Sequence, residues 1–187
     1  MMRIALFITL LSVSLIGCNS QVKKGRMQKI DSLGIHLNYV HEVLDGIDSQ
    51  LIQNRIVEIN QTSAWVWDNV TDTLDREPGM AFGDYMRTGK YWRQSADRCR
   101  MVSKEYRFSV AQLKTLKEDV QHSFYSDEEF KGYFHTESQS IASLVKASDE
   151  LVEKYQMSTS RHERFKPRVE QIVDSIKSVV LSRELRR

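Results

Sequence analysis

The sequence predicts an all-α protein, an elongated antiparallel three- to four-helix bundle with coiled-coil-like seams. Three observations carry that expectation. Only two prolines, Pro78 and Pro167, occur in 187 residues, and the long stretches between them are rich in Leu, Ile, Val, Glu, Lys, Arg and Gln. Such stretches favour helix over strand. Apolar residues also recur at steps of three and four, which places them on one stripe of a helix. Finally, the links between these segments are short, and short links make antiparallel neighbours.

The first seam is Ile30, Leu33, Leu37, Val40, Leu44, Ile47 and Leu51. Its phase then slips by one residue to Ile52, Ile56, Ile59, Val66 and Val70. Gly34 and Gly46 lie inside it, each costing about 1 kcal/mol against alanine. "LDG" at 44–46 has the composition of a turn, but the seam continues in phase through it. One long helix over about 27–76, straight or kinked, is the resulting expectation, spanning about 75 Å at 1.5 Å per residue. "EPGMAFG" at 77–83 is expected to stop it, since proline cannot continue a helix.

A second helix is expected over roughly 84–123. Its seam repeats every seven residues at Tyr85, Trp92, Cys99, Tyr106, Leu113 and Val120, with Val102 and Leu116 between. Ser126-Asp127-Glu128-Glu129 has the pattern of a capping box and opens a third helix, with Phe130, Phe134, Ile141, Leu144, Leu151 and Tyr155 as its seam. "MSTS" at 157–160 is expected to interrupt. A fourth helix then carries Phe165, Val169, Ile172, Ile176 and Val179, with Pro167 in its first turn or kinking it. Folding the first two helices about Pro78 sets Trp65 level with Trp92 and Leu37 level with Val120. An even helix count would bring both chain ends together, so that Lys23, Lys24, Arg26, Arg183, Arg186 and Arg187 either meet anionic headgroups, or the tail cations complement the last helix's dipole while the tether is merely solvated.

The chain begins with one cation, Arg3, followed by a mostly apolar run from Ile4 to Ile16. That run falls short of the roughly 20 residues needed to cross a bilayer. A charged start, a brief apolar core and a small residue at its end are the features of a cleaved secretory signal. Leu15-Ile16-Gly17-Cys18 directly behind it resembles the lipobox of bacterial lipoproteins. The resemblance covers this segment alone. It implies cleavage before Cys18, diacylation of its thiol and acylation of the new amino terminus. Two or more acyl chains anchor stably where one does not. The expected organisation is a signal peptide at 1–17, a flexible lipidated tether at 18–26 and a single helical domain at 27–187. With Asn19 after the cysteine, lipoprotein sorting by analogy points to the outer membrane of a Gram-negative bacterium.

Cys99 is then the one remaining thiol, expected at a buried core position without an internal disulfide. Removing Arg3 with the signal leaves the mature chain near neutral, from +2 in the full sequence, which argues against a nucleic-acid partner. Enzyme motifs occur only as near misses. "GDYMRTGK" at 83–90 has the wrong glycine spacing for a phosphate-binding loop, and Tyr91 stands where a magnesium-binding hydroxyl is needed. "HEVLD" at 41–45 lacks the second histidine of a zinc-protease helix. The five histidines are scattered and read as surface or ordinary packing residues. No enzymatic activity, metal or cofactor is expected.

Two surface features remain. Arg93, Arg100, Arg107 and Lys114 recur every seven residues as a cationic ridge. The ridge either meets an acidic partner or pairs with acids such as Asp149, Glu150 and Glu153. "SAWVWDN" at 63–69 sets Trp65 and Trp67 about 100° to either side of Val66, so both cannot be central. With Met80, Phe82, Tyr85, Met86 and Trp92 they either close a small core or leave an exposed docking patch. Asp-Ser/Thr-apolar triplets at Ser32, Thr73 and Ser175 also resemble the O-glycosylation acceptor of Bacteroidetes. The functional expectation is a membrane-anchored, non-enzymatic scaffold or adaptor that binds an envelope protein. The alternative is a sensory or carrier bundle holding a small ligand between helices, for which the seams offer Tyr85, Tyr106 and Tyr155 but no convergent polar cluster.

Overall fold

The computed structural model describes the backbone of residues 2–70 and 73–185 and the side chains from Ser20 onward. Among these residues there is no strand. Four helices make an all-α antiparallel bundle: α1 (Met2–Gly46), α2 (Ser49–Asn69), α3 (Arg76–Gln121) and α4 (Asp127–Glu184). Contacts divide the chain into two units. Unit one comprises Met1–Glu42 and Lys104–Lys146; unit two comprises Val43–Ser103 and Ala147–Arg187.

The expected first helix is two helices. The break at Ile47-Asp48 explains the one-residue slip in the seam. Ile47 donates its N–H to the Leu44 carbonyl at 3.2 Å, and the Asp48 carboxylate accepts from the Leu51 N–H at 2.8 Å, capping α2. The break leaves both Ile47 and Ile52 buried. Each is worth about 1.5–3 kcal/mol, against about 1 kcal/mol for a backbone hydrogen bond lost at the break.

The turn between α2 and α3 also lies earlier than "EPGMAFG". α2 ends at Asn69, and Pro78 sits in the first turn of α3, where no intrahelical N–H is required. The Gly79 N–H bonds the Asp75 carbonyl at 2.8 Å to start that helix. The register shifts accordingly. Trp67 meets Phe82 edge-on with centroids 6.3 Å apart, and His41 stacks on Tyr106 at 5.7 Å. Trp92 is therefore not opposite Trp65; it packs against Tyr155 of α4 at 5.9 Å.

Just beyond α3, Ser123 at φ 59° is a left-handed residue that lets the Phe124 N–H reach the Asp119 carbonyl. The capping box then forms as expected. The Ser126 N–H donates to Glu129 at 2.8 Å, and the Glu129 N–H bonds the Ser126 hydroxyl oxygen at 3.3 Å. "MSTS" does not interrupt: α4 is continuous for 58 residues, with Pro167 in its interior. Its core positions step by three and four throughout, as Ile141, Leu144, Ser148, Leu151, Tyr155, Ser158, His162, Phe165, Val169 and Ile172. Serines and a histidine at three of these positions disguise an unbroken seam.

In unit one, α1 lies antiparallel to α3. Asp31 accepts from Lys117 at 2.7 Å, and Lys23 donates to the Gln121 carbonyl at 2.5 Å. Arg26 bonds the Tyr125 carbonyl at 3.0 Å, pairs with Asp127 and stacks over Phe130 at 5.0 Å. Residues 18–26 continue α1, and Lys23 and Arg26, for which headgroup contact and solvation are the alternatives expected, bind the protein itself. Residues 127–184 form one helix and not the expected two; Arg186 and Arg187 lie outside the described residues. In unit two, the core comprises Ile52, Ile59 and Val66 of α2, Phe82, Tyr85 and Trp92 of α3, and Leu151, Val169 and Ile172 of α4. Cys99 is a free thiol but only half-buried, because it faces a small pocket beside Ser49, Ile52 and Gln53 at the start of α2.

Candidate functional site

Unit two carries polar groups at seam positions where apolar residues would normally fill the core. Thr88, Ser95, Ser158 and His162 are all buried. Three are satisfied locally: Thr88 donates to the Tyr85 carbonyl at 2.6 Å, Ser158 donates to the Lys154 carbonyl at 2.8 Å, and Ser95 meets Ser158 at 3.1 Å. His162 is not. Only 2% exposed, it lies between the rings of Tyr85 (5.7 Å) and Trp92 (6.2 Å), and neither ring nitrogen has a hydrogen-bond partner among the described residues. Burial pushes its pKa down to about 4, against the pull of the Glu58 charge. The imidazole is therefore neutral over the ordinary pH range.

Glu58, reaching in from α2, is the charged member. Burial opposes its ionisation, but bonds from Lys166 and Arg55, each at 2.7 Å, outweigh that and hold its pKa below the usual carboxylate value. Tyr85 lies beneath. Burial and the nearby Glu58 charge push its phenol up to about 12, so it stays protonated beside the Thr62 hydroxyl. Glu58, Tyr85 and Lys166 border a groove of about 530 Å³ between α2 and α4, lined also by Trp65, Thr62, Val169 and Val173. That volume falls within the range of small-molecule sites, about 300–1,000 Å³.

Of the residues singled out in the sequence, Trp65 is half-buried and faces this groove, with the Lys177 ammonium 5.7 Å over its ring. Trp67 is 67% exposed. The pair thus divides as the helical wheel requires, with Val66 buried between them. Arg93, Arg100 and Arg107 are all exposed, Arg93 and Arg100 in unit two and Arg107 in unit one. Arg100 pairs with Asp97 on its own helix, and Glu150 is taken by Arg98, which lies off the ridge. Ser32, Thr73 and Ser175 are exposed, with Asp72 outside the described residues. The side chain of Cys18 also lies outside them.

The cluster of His162, Glu58, Tyr85 and Lys166 corrects the expectation that the seams hold no convergent polar group. The available signal was the three-and-four spacing from Leu151 through Ser158 and His162 to Val169. Among the described residues, no helix is long and apolar enough to cross a membrane, and no group of three or more His, Cys, Asp or Glu could hold a metal. No known protein family, curated protein or solved structure matches the chain.

Proposed function

We propose that the protein is a lipoprotein of the cell envelope, anchored through acylated Cys18 in the outer membrane and facing the periplasm. There it works as a non-enzymatic scaffold or adaptor. The observation supporting protein binding is Trp67: two-thirds exposed, with its indole edge set against the buried Phe82 ring. Met80, two residues before Phe82, is 62% exposed. An aromatic ring positioned by a core residue loses little freedom on docking, and tryptophan is enriched among residues that dominate interface energy. The anchor is tested by fractionation and intact mass. Wild type is expected in the membrane pellet with acyl mass at its amino terminus, and Cys18→Ala in the soluble fraction.

A second reading is favoured by the polar cluster and groove of unit two. A bundle that places Glu58, Tyr85 and Trp65 around one concavity has the geometry to hold a small ligand between helices. Thermal shift against envelope metabolites tests it: a saturable rise in Tm lost in Trp65→Leu supports ligand binding.

A further inference from the structure

The groove in unit two carries an unequal set of charges. Three carboxylates line it, Glu58, Glu170 and Asp174, against two ammonium groups, Lys166 and Lys177. Glu58 is fully engaged by Lys166 and Arg55. Among the described residues, Glu170 pairs with Lys166 alone, at 3.7 Å, and Asp174 with Lys177 alone, at a long 3.5 Å. The two under-matched carboxylates lie four residues apart on α4 and so share a face.

Across the groove, the Lys177 ammonium sits 5.7 Å from the Trp65 ring, close to the outer limit of a cation–π contact at about 6 Å. This is an organic ammonium held between an indole face and a carboxylate, supplied by the chain itself. Its hold is weak, because the side chains of Lys177 and Asp174 are 54% and 75% exposed. Val169 and Val173 give the groove an apolar wall suited to methylene groups. Behind Glu58, His162 is buried with both nitrogens unpartnered, and as a neutral ring it adds no positive charge to repel a cation.

We infer that the groove between α2 and α4 binds a small organic ammonium ion, an alkylamine or polyamine. The cation sits on the face of Trp65, Glu170 and Asp174 supply the counter-charges, and Lys177 is the internal occupant it displaces. The inference rests on the ligand-binding reading and names the ligand class. An anion entering the same groove would meet Glu170 and Asp174, with Lys177 as its one loosely held counter-charge.

The test is calorimetric titration of the full chain in detergent with spermidine, with inorganic phosphate and glucose as anionic and neutral comparators. Spermidine should bind once, saturably and less tightly at high salt. Trp65→Leu and Asp174→Asn should each weaken it about tenfold, while Lys177→Met should tighten it about threefold by removing the internal competitor. Should Trp65→Leu lose helicity, the two substitutions at exposed side chains carry the comparison. Absence of spermidine binding in both wild type and Lys177→Met overturns the proposal, as does weaker binding in Lys177→Met. Trp65-dependent binding of phosphate or glucose instead overturns the cation class while keeping the ligand-binding reading. Binding of none of the three overturns both.

Discussion

The Nε2 atom of His162 lies 3.7 Å from Oε2 of Glu58, beyond hydrogen-bond distance, so a buried neutral imidazole stands beside a carboxylate already engaged by Lys166 and Arg55. The unfolded chain takes up a proton at this histidine near pH 6.5, the folded chain only near pH 4. Between those values the unfolded state binds more protons, so stability present above pH 6.5 falls as pH drops through the window. Glu58, with its folded pKa lowered, adds a loss in the same direction below pH 4.5. Urea midpoints at pH 7, 5.5 and 4.5 should decline, with the histidine costing on the order of 3 kcal/mol across its full window. His162→Phe should flatten the decline between pH 6.5 and 4.5; an unchanged slope would assign it to other groups.

Glu137 makes the opposite prediction in unit one. Its Oε1 is buried without a hydrogen-bond partner among the described residues, and burial, together with the Glu105 charge, raises its pKa above 4.5. The folded state therefore loses stability as pH rises through that raised value. Glu137→Gln should stabilise the protein at pH 7 by on the order of 1 kcal/mol and leave it unchanged at pH 4. Equal effects at both pH values would place the cause in packing, not charge.

Pro167 stands inside α4 on its exposed side. It has no N–H to offer the Glu163 carbonyl, and its ring crowds that turn. Pro167→Ala should raise stability by about 1–3 kcal/mol, read as a higher urea midpoint with unchanged slope. A lower midpoint would mean that the local geometry at Pro167 supports neighbouring contacts.

Much of the fold was legible because helices bury stripes. Spacing alone places Ile30, Leu33, Leu37 and Val40 in the core, and all four are buried. The capping box at Ser126 also formed as read. What misled was punctuation. "LDG" reads as continuous when only apolar phase is weighed, but the Asp48 side chain caps a new helix there. "EPG" reads as a stop, but its proline occupies the one part of a helix that tolerates it. Polar residues were the larger loss. Ser158 and His162 occupy core positions, so a search for apolar stripes ends at Tyr155 and takes the serines for a break. The groove is assembled from Glu58, Tyr85 and Lys166 on three helices, and no spacing within one segment announces it.

The most direct test of the scaffold account is in-cell cross-linking and capture of a C-terminally tagged chain, comparing wild type, Trp67→Ala and Cys18→Ala. Trp67 is mostly exposed, so its loss should cost little stability, within about 0.5 kcal/mol. The account predicts one saturable protein partner with wild type, at least tenfold less of it with Trp67→Ala at unchanged helicity, and loss of it with Cys18→Ala. Equal recovery of the same partner from all three chains would contradict both the docking surface and the role of the anchor.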